Sequence, residues 1–310
     1  MTFLDAVSVY LPDHRVPIAD LREQLGLSTM QVRLFDRFFG YAEIRLDRDG
    51  TLADLLYAAA AGLTALSGRE HLVRYVVHAR NLPVAAPYPL NPLHEVTQRL
   101  GLGQAVAFTI THHACATGLI AIEAAGRLLA ADGDRDGLAL VLTGEKAFTQ
   151  DARIVPGMCI FGEASAACLV ALTGDSDRLL SYACRTRGEF NRRLDNLPEL
   201  AAQYEEAYPL TLAEVMLAAV GQAGLRLDDI SLILPHNVNA VSWHRLSRRI
   251  GFPIERVVLD NVPVTGHAFC ADMLINYTTA IDRGLLRPGD RYLVAAAGVG
   301  ATFAAMVFEH

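Results

Sequence analysis

Thr111-His-His-Ala-Cys115-Ala-Thr-Gly-Leu-Ile-Ala-Ile-Glu-Ala-Ala-Gly-Arg-Leu-Leu-Ala130 decides the reading of this chain. An apolar strand over residues 105–110 runs into it. Leu119, Ile120, Ile122, Ala125, Leu128 and Leu129 then recur at helical spacing. Cys115 is thus predicted where a strand ends and a helix begins. The unpaired N–H groups and positive dipole end of a helix favour an anion, so the position is expected to lower the pKa of the thiol. Ala114, Ala116 and Gly118 leave room for a substrate to approach, whereas a cysteine that only fills space usually has larger apolar neighbours.

On either side the chain alternates strands and helices. Residues 1–50 hold an opening strand over 6–10 and an amphipathic stretch over 28–39. A helix is predicted over 52–66, a strand over 72–78, a Pro-rich connection over 82–92 and a helix ending near 99–102. Strands follow over 138–144 and within 158–172. Residues 173–210 read as the least regular part, a boundary carrying Arg185, Arg187, Arg192 and Arg193.

Beyond that boundary the first half recurs in outline. A helix over 210–223, a strand over 231–234, His236, a helix over 241–250 and Arg249-Ile-Gly-Phe252 parallel an earlier helix, strand, His78, helix and Arg99-Leu-Gly-Leu102. Residues 256–259, a small-residue turn at His267, a helix over 271–283 and a strand over 292–296 parallel the Cys115 unit. The offset is about 154 to 158 residues, near half of the 310. Two copies of one unit imply a pseudo-symmetric α/β protein with halves 1–172 and 173–310. Its central helices, after Cys115 and His267, would pack side by side with their N-termini facing one pocket.

With 52% hydrophobic residues the chain can bury a large core. Its five cysteines, Cys115, Cys159, Cys168, Cys184 and Cys270, are scattered and form no C-x-x-C pair, so neither a disulfide framework nor a metal site is expected. A net charge of −7, without a recognition motif, argues against a nucleic-acid surface. No run approaches the ~18 uninterrupted apolar residues of a membrane span, and the N-terminus lacks the basic start of a signal peptide. A soluble, cytoplasmic protein is expected.

Three stretches form a set: Cys115 at its helix start, Leu234-Pro-His-Asn-Val-Asn239, and Val264-Thr-Gly-His-Ala-Phe-Cys-Ala-Asp272. With them the chain resembles the β-ketoacyl synthase III branch of the thiolase-fold enzymes. The nucleophile turn of that family is matched by Ala114-Cys115-Ala116-Thr117-Gly118, and its Pro-His-Gln-Ala-Asn strand end by Pro235-His236-Asn237-Val238-Asn239. Phe161-Gly162-Glu163-Ala164-Ser165-Ala166-Ala167 matches a further turn, and Gly298-Val299-Gly300-Ala301-Thr302 the glycine loop near the C-terminus. The resemblance implies a five-layer α-β-α-β-α fold, a homodimer, and substrates carried as thioesters of coenzyme A or an acyl carrier protein, with no metal or redox cofactor.

Where chain-elongating members carry Gly-Asn-Thr, this sequence has Gly266-His267-Ala268, so the asparagine that helps hold a decarboxylating malonyl group is missing. His267 with Asp272 instead resembles a side branch, found in secondary-metabolite pathways, that works with a Cys/Ser-His-Asp triad. Some of its members move an intact acyl group onto a hydroxyl, amine or carrier thiol, and others condense. On that resemblance Cys115 is the nucleophile forming an acyl thioester, His267 the base and Asp272 its orienter. His236 and Asn239 polarise the thioester carbonyl or position the acceptor, and the N–H groups of Cys115 and Val299 form an oxyanion hole. Val299 stands where the family usually has Gly. Trp243, His244, Arg245, Arg248 and Arg249 make a basic, partly aromatic helix face, and the three arginines are expected to contact an acidic carrier protein or the phosphates of CoA.

Each residue also has a plainer use. His236 suits a strand end satisfied by backbone, His267 a helix cap, Asp272 a helix start, the arginines a solvated face, and His112 and His113 the shaping of the turn. Taken together they point to ping-pong acyl transfer. A decarboxylative ketosynthase using Cys115, His236 and His267 is one rival, and a non-catalytic partner subunit of a synthase is another.

Overall fold

The computed structural model describes residues 1–83, 86–87, 89–191 and 197–310. Nine strands form one sheet: β1 (Phe3–Tyr10), β2 (Val73–Ala79), β3 (Val106–Ile110), β4 (Leu138–Gly144), β5 (Ser165–Ala171), β6 (Arg178–Thr186), β7 (Leu232–Pro235), β8 (Arg291–Gly298) and β9 (Thr302–Glu309). Their order is β7-β8-β9-β6-β1-β5-β4-β2-β3. That order is a duplication. β2 pairs parallel with β4, then β4 with β5 and β5 with β1 antiparallel. β7, β8, β9 and β6 repeat the same senses, and β1 meets β6 at the seam through Phe3 and Arg178.

β3 adds a parallel partner to the far side of β2. Its counterpart, predicted over 256–259, shrinks to a single parallel bridge between Val257 and Ile233. Helical turns at Ile254–Arg256 and Val262–Thr265 crowd it from both ends and leave no length for a strand.

The principal helices are α1 (Leu52–Ala61), α2 (Pro92–Arg99), α3 (Thr117–Asp132), α4 (Pro198–Gln222), α5 (Ala240–Ile250) and α6 (Asp272–Asp282). Because successive strand residues face opposite sides, Val76 and Val77 enter different cores. One core packs Leu55, Leu56 and Val96 of α1 and α2 on the outer face of the first half. A second holds Leu119, Ile122 and Leu274 of α3 and α6 between Val77 and Val141 of one half and Leu234 and Val294 of the other. The third packs Leu212, Met216 and Trp243 of α4 and α5 on Ile233 and Leu293. Helix and sheet layers therefore alternate in the thiolase-like α-β-α-β-α arrangement. Truncating a central residue such as the fully buried Leu119 to Ala would cost about 2–5 kcal/mol.

The segment Ala114–Asp132 is long and apolar enough to cross a membrane by length and composition, but it is the mostly buried central helix of this core. α3 and α6 meet closely at their first turns. A Cβ on Gly118 would lie 2.1 Å from Cε of Met273 and 3.1 Å from the Cys270 carbonyl oxygen. Each helix is entered through a 3-10 turn, Ala114–Ala116 and Phe269–Ala271, whose first residue is left-handed, with φ of 47° at Ala114 and 53° at Phe269. Cys270, not His267, is thus the structural counterpart of Cys115.

Several boundaries differ from expectation. The 52–66 helix ends at Ala61 and gives way to a 3-10 turn, and the 28–39 stretch is a five-residue α-helix followed by a π-helical turn. Residues 173–210 are more regular than predicted, because they hold β6 and the start of α4. That helix begins at Pro198, not near 210, and runs through Pro209. A proline inside a helix costs about 3 kcal/mol through its missing N–H and its clash one turn back. Burial of Tyr204, Tyr208, Leu212 and Met216 offsets this. Arg192 and Arg193 lie outside the described residues, as do Val84, Ala85 and Tyr88 of the Pro-rich connection. Arg185 pairs with Glu214 at 2.7 Å and Arg187 with Glu189 at 2.6 Å.

Candidate active site

The turn that carries Cys115 follows from its small residues. β3 ends at Ile110, and the chain doubles back through left-handed backbone at His112 (φ 73°) and Ala114. For residues other than glycine this stores about 1–3 kcal/mol each, which the surroundings must hold. Ala116 N–H donates to the His113 carbonyl at 3.0 Å, and the Cys270 thiol donates to the Ala114 carbonyl at 3.2 Å. The glycine loop after β8 closes the other side. A Cβ on Gly298 would lie 2.1 Å from the His113 carbonyl oxygen, so only glycine lets the two segments touch. Val299, one residue on, is 41% exposed.

His267 is strapped to the 160–162 segment, where its N–H donates to the Ile160 carbonyl at 3.0 Å and its carbonyl accepts from Gly162 N–H at 3.1 Å. Phe161 stacks on the imidazole at 4.8 Å between centroids and on Phe269 at 4.1 Å. Nε2 of His267 lies 3.1 Å from Sγ of Cys115, and Nδ1 meets Oδ2 of Asp272. Asp272, 1% exposed at the first residue of α6, also accepts from Ala268 N–H at 2.7 Å through Oδ1 and from Asn237 N–H at 2.6 Å through Oδ2. A carboxylate only accepts, so Nδ1 carries the ring proton and Nε2 is left basic toward the thiol.

The thiol itself departs from expectation. Burial pushes the Cys115 pKa well above its ordinary range, with the neighbouring Cys270, Cys159 and Asp272 adding to the effect. At 4% exposure desolvation outweighs the helix end, because α3 proper starts only at Thr117. Cys115 rests as a thiol, with Nε2 of His267 within reach of its proton.

His236 ends β7 at 2% exposure, its ring 5.7 Å from that of His267. Its N–H donates to the Ala295 carbonyl at 3.0 Å and its carbonyl accepts from Nε1 of Trp243 at 2.8 Å. The ring Nε2 lies 3.0 Å from the Tyr208 hydroxyl. Burial, and then the nearby His267, hold its pKa down to about 3, so the ring is neutral and does not shuttle protons near pH 7.

Asn239, at the cavity, has two backbone partners. Its Oδ1 caps α5 by accepting from Ser242 N–H at 2.7 Å, and its Nδ2 donates to the Met158 carbonyl at 3.0 Å. Both ends of the amide serve the backbone. Trp243 is buried against His236 rather than lying on a basic face, whereas Arg245, Arg248 and Arg249 are exposed on α5. Of these arginines, Arg245 lines a cavity of about 230 Å³ together with Phe39, Met158, Tyr208 and Asn239. His112 and His113 belong to the strained turn. Burial lowers the pKa of His113.

Sequence reasoning missed Tyr208 and the aromatic stack of Phe161 and Phe269. It also missed the amide chain in which Asn276 Nδ2 donates to the Pro235 carbonyl at 2.7 Å and to Oδ1 of Asn237 at 2.9 Å. Tyr204 and Tyr208, four apart, carried a helical signal that starting α4 at 210 hid.

The chain is similar to several known proteins. The family model for the C-terminal part of 3-oxoacyl-[acyl-carrier-protein] synthase III matches residues 220–310. The β-ketoacyl-[acyl-carrier-protein] synthase III of Thermosynechococcus vestitus is 28% identical over 236 residues, covering 69% of this chain and 70% of that protein. Among solved structures, ChlB3, described as an acyltransferase, superposes with a TM-score of 0.85 at 20% identity over 99% of this chain and 97% of its own. The 3-oxoacyl-[acyl-carrier-protein] synthase III of Aquifex aeolicus gives 0.84 at 21% identity over 100% of both chains. The chain is thus similar in sequence to β-ketoacyl-[acyl-carrier-protein] synthase III, by the family model over its C-terminal part, and shares the fold of such enzymes along its whole length.

Proposed function

We propose that this protein is an acyltransferase, moving an acyl group from an acyl-CoA or acyl carrier protein through a Cys115 thioester to a hydroxyl, amine or thiol acceptor in natural-product biosynthesis. The observation that carries the reading is the 3.1 Å approach of His267 Nε2 to Cys115 Sγ, with Asp272 on the other ring nitrogen. In the first half-reaction Nε2 takes the thiol proton as Sγ attacks the thioester carbonyl carbon. The carbonyl electron pair moves to oxygen, facing the N–H groups of Cys115 and Val299, donors worth about 3 kcal/mol each in other enzymes. Collapse re-forms the carbonyl and expels the donor thiolate, which takes up from His267 the proton that Cys115 gave.

In the second half-reaction the acceptor gives its proton to Nε2 and attacks the Cys115 thioester. The Cys115 thiolate leaves and takes that proton back. Each bond made is matched by one broken without electron transfer, so the reading calls for no redox cofactor. Arg245 at the cavity, with Arg248 and Arg249 farther along α5, would meet the phosphates of the donor or an acidic carrier. A homodimer fits the same reading, because β3 ends the sheet and leaves Val106 59% exposed. A cytoplasmic setting is supported by five free thiols.

The test is product analysis with malonyl-CoA and other acyl-CoAs, offered small alcohols, amines and N-acetylcysteamine as acceptors. Products carrying the intact acyl group, without release of carbon dioxide, are expected. Carbon dioxide released in step with product would favour the decarboxylative ketosynthase, which the closeness of His236 to His267 also suits.

A further inference from the structure

Tyr208 connects the 230 Å³ cavity to the catalytic centre. It lines that cavity with Phe39, Met158, Asn239 and Arg245, and its hydroxyl lies 3.0 Å from Nε2 of His236. Its ring is held by edge-on contacts with Tyr204 and Phe303, each at 5.8 Å. Burial raises the phenol pKa well above its ordinary value, so the group is a hydroxyl and never a phenolate near neutrality.

The contact allows two proton arrangements. His236 is neutral and carries one ring proton, and among the described residues its buried Nδ1 has no hydrogen-bond partner. With the proton on Nδ1, Tyr208 donates to Nε2 and a buried N–H is left unpaired. With the proton on Nε2, the imidazole donates to the phenol oxygen, Nδ1 is an unpaired acceptor, and the phenol hydrogen must find its acceptor in the cavity that Tyr208 lines, a partner the buried Nδ1–H of the first arrangement lacks. Orphaned buried donors are the rarer and costlier of the two. The second arrangement also leaves the phenol hydrogen free, at a residue that lines the cavity.

We propose that Tyr208 is a positioning residue that fixes His236 as its Nε2–H tautomer and presents its own O–H to a carbonyl oxygen along the arm of an acyl donor lying in the cavity, away from the reacting thioester. A ligand oxygen there meets the phenol first, and the imidazole acts through it. The inference rests on the acyl-transfer reading of the same centre. It adds a selection rule, because a bound group without an acceptor oxygen at the inner end of the cavity leaves this donor unpaired.

The test uses full-length protein with ¹⁵N-labelled histidine, as wild type and Tyr208→Phe, with the His236 signals assigned by their loss in His236→Gln. The same two proteins are compared for the rate of Cys115 acylation by acetyl-, malonyl-, butyryl- and octanoyl-CoA. The wild type should show His236 protonated on Nε2, a result that needs no variant to fold. Tyr208→Phe, which keeps the ring and its packing, should shift that tautomer population. It should also raise the half-saturating concentration of acyl-CoA about 3–10-fold at a nearly unchanged maximal rate. A wild-type proton on Nδ1 overturns the proposal, and so does a Tyr208→Phe protein with unaltered spectra or unaltered half-saturation. If no acyl-CoA labels Cys115 yet the tautomer shifts as described, the transfer reading fails while the hold of Tyr208 on His236 stands.

Discussion

Oδ2 of Asp272 accepts the backbone N–H of Asn237 at 2.6 Å, so the carboxylate that orients His267 is itself fixed by the residue following His236. The end of β7 and the start of α6, both from the second half of the chain, thereby set the imidazole that faces Cys115 of the first half. Replacing Asp272 with Asn puts an amide where Ala268 N–H, Asn237 N–H and His267 Nδ1 all require an acceptor. Acyl transfer by Asp272→Asn should fall about 10²–10⁴-fold. Unpaired buried donors should also cost about 1–3 kcal/mol, read from the urea midpoint. Activity within threefold of wild type would mean that His267 needs no orienting partner.

Because the Cys115 thiol is pushed well above its ordinary pKa, its alkylation by iodoacetamide should be slow at pH 7 and climb without a plateau through pH 9. The sign for stability follows. Above the ordinary thiol pKa the unfolded chain loses a proton that the folded chain keeps, so stability should decline as pH rises past about 8.5. A rate plateau near pH 6–7 would reveal a preformed thiolate and contradict the account of the resting site.

Two buried histidines set the acid limb. His236 is held down to about 3 and His78 to about 4, against 6.5 when exposed. Folded pKa values below the unfolded one mean that stability is fully present above pH 6.5 and is lost as pH falls toward those values. Each histidine should contribute a slope of roughly 1.4 kcal/mol per pH unit well inside that window. Urea midpoints at pH 7, 6 and 5 should decrease, and His236→Gln should flatten the trend. A midpoint constant over this range would show that neither ring is buried as described.

A methyl on Gly162 would lie 2.0 Å from the backbone oxygen of Thr265, two residues before His267. Backbone cannot yield as a flexible side chain can. Gly162→Ala should therefore cost about 1–3 kcal/mol and lower the maximal rate of Cys115 acylation more than it alters half-saturation, by displacing the segment that carries the base. An unchanged maximal rate would show that the strap at Gly162 does not position His267.

Cys270 occupies the place in the second repeat that Cys115 holds in the first, and its thiol is engaged by the Ala114 carbonyl at 3.2 Å. Cys270→Ala should cost no more than about 1 kcal/mol for the lost contact and leave acylation of Cys115 intact. Loss of the acyl adduct in this variant would move the nucleophile to the wrong repeat.

Much of this design was legible in the sequence because it is written in short-range signals. The apolar strand before Cys115 and the helical spacing after it placed that thiol between a strand and a helix. The recurrence of the unit in the second half foretold two central helices meeting at their N-termini. What stayed hidden depends on contacts between distant residues. Nothing near Cys115 announces that burial overrides the helix end, and nothing near Asn239 shows that Met158 and Ser242 engage its amide. Tyr208 was lost to Pro209, whose usual helix-ending effect is overcome only by the apolar face of α4.

The most direct measurement is the intact mass of the protein after incubation with acetyl-, malonyl-, butyryl- and octanoyl-CoA, for wild type, Cys115→Ala and His267→Asn. The account predicts an acyl adduct of undiminished mass on the wild type, none on Cys115→Ala, and formation at least about 10²-fold slower on His267→Asn. Equal labelling of wild type and Cys115→Ala, or a His267→Asn protein as fast as wild type, would contradict it.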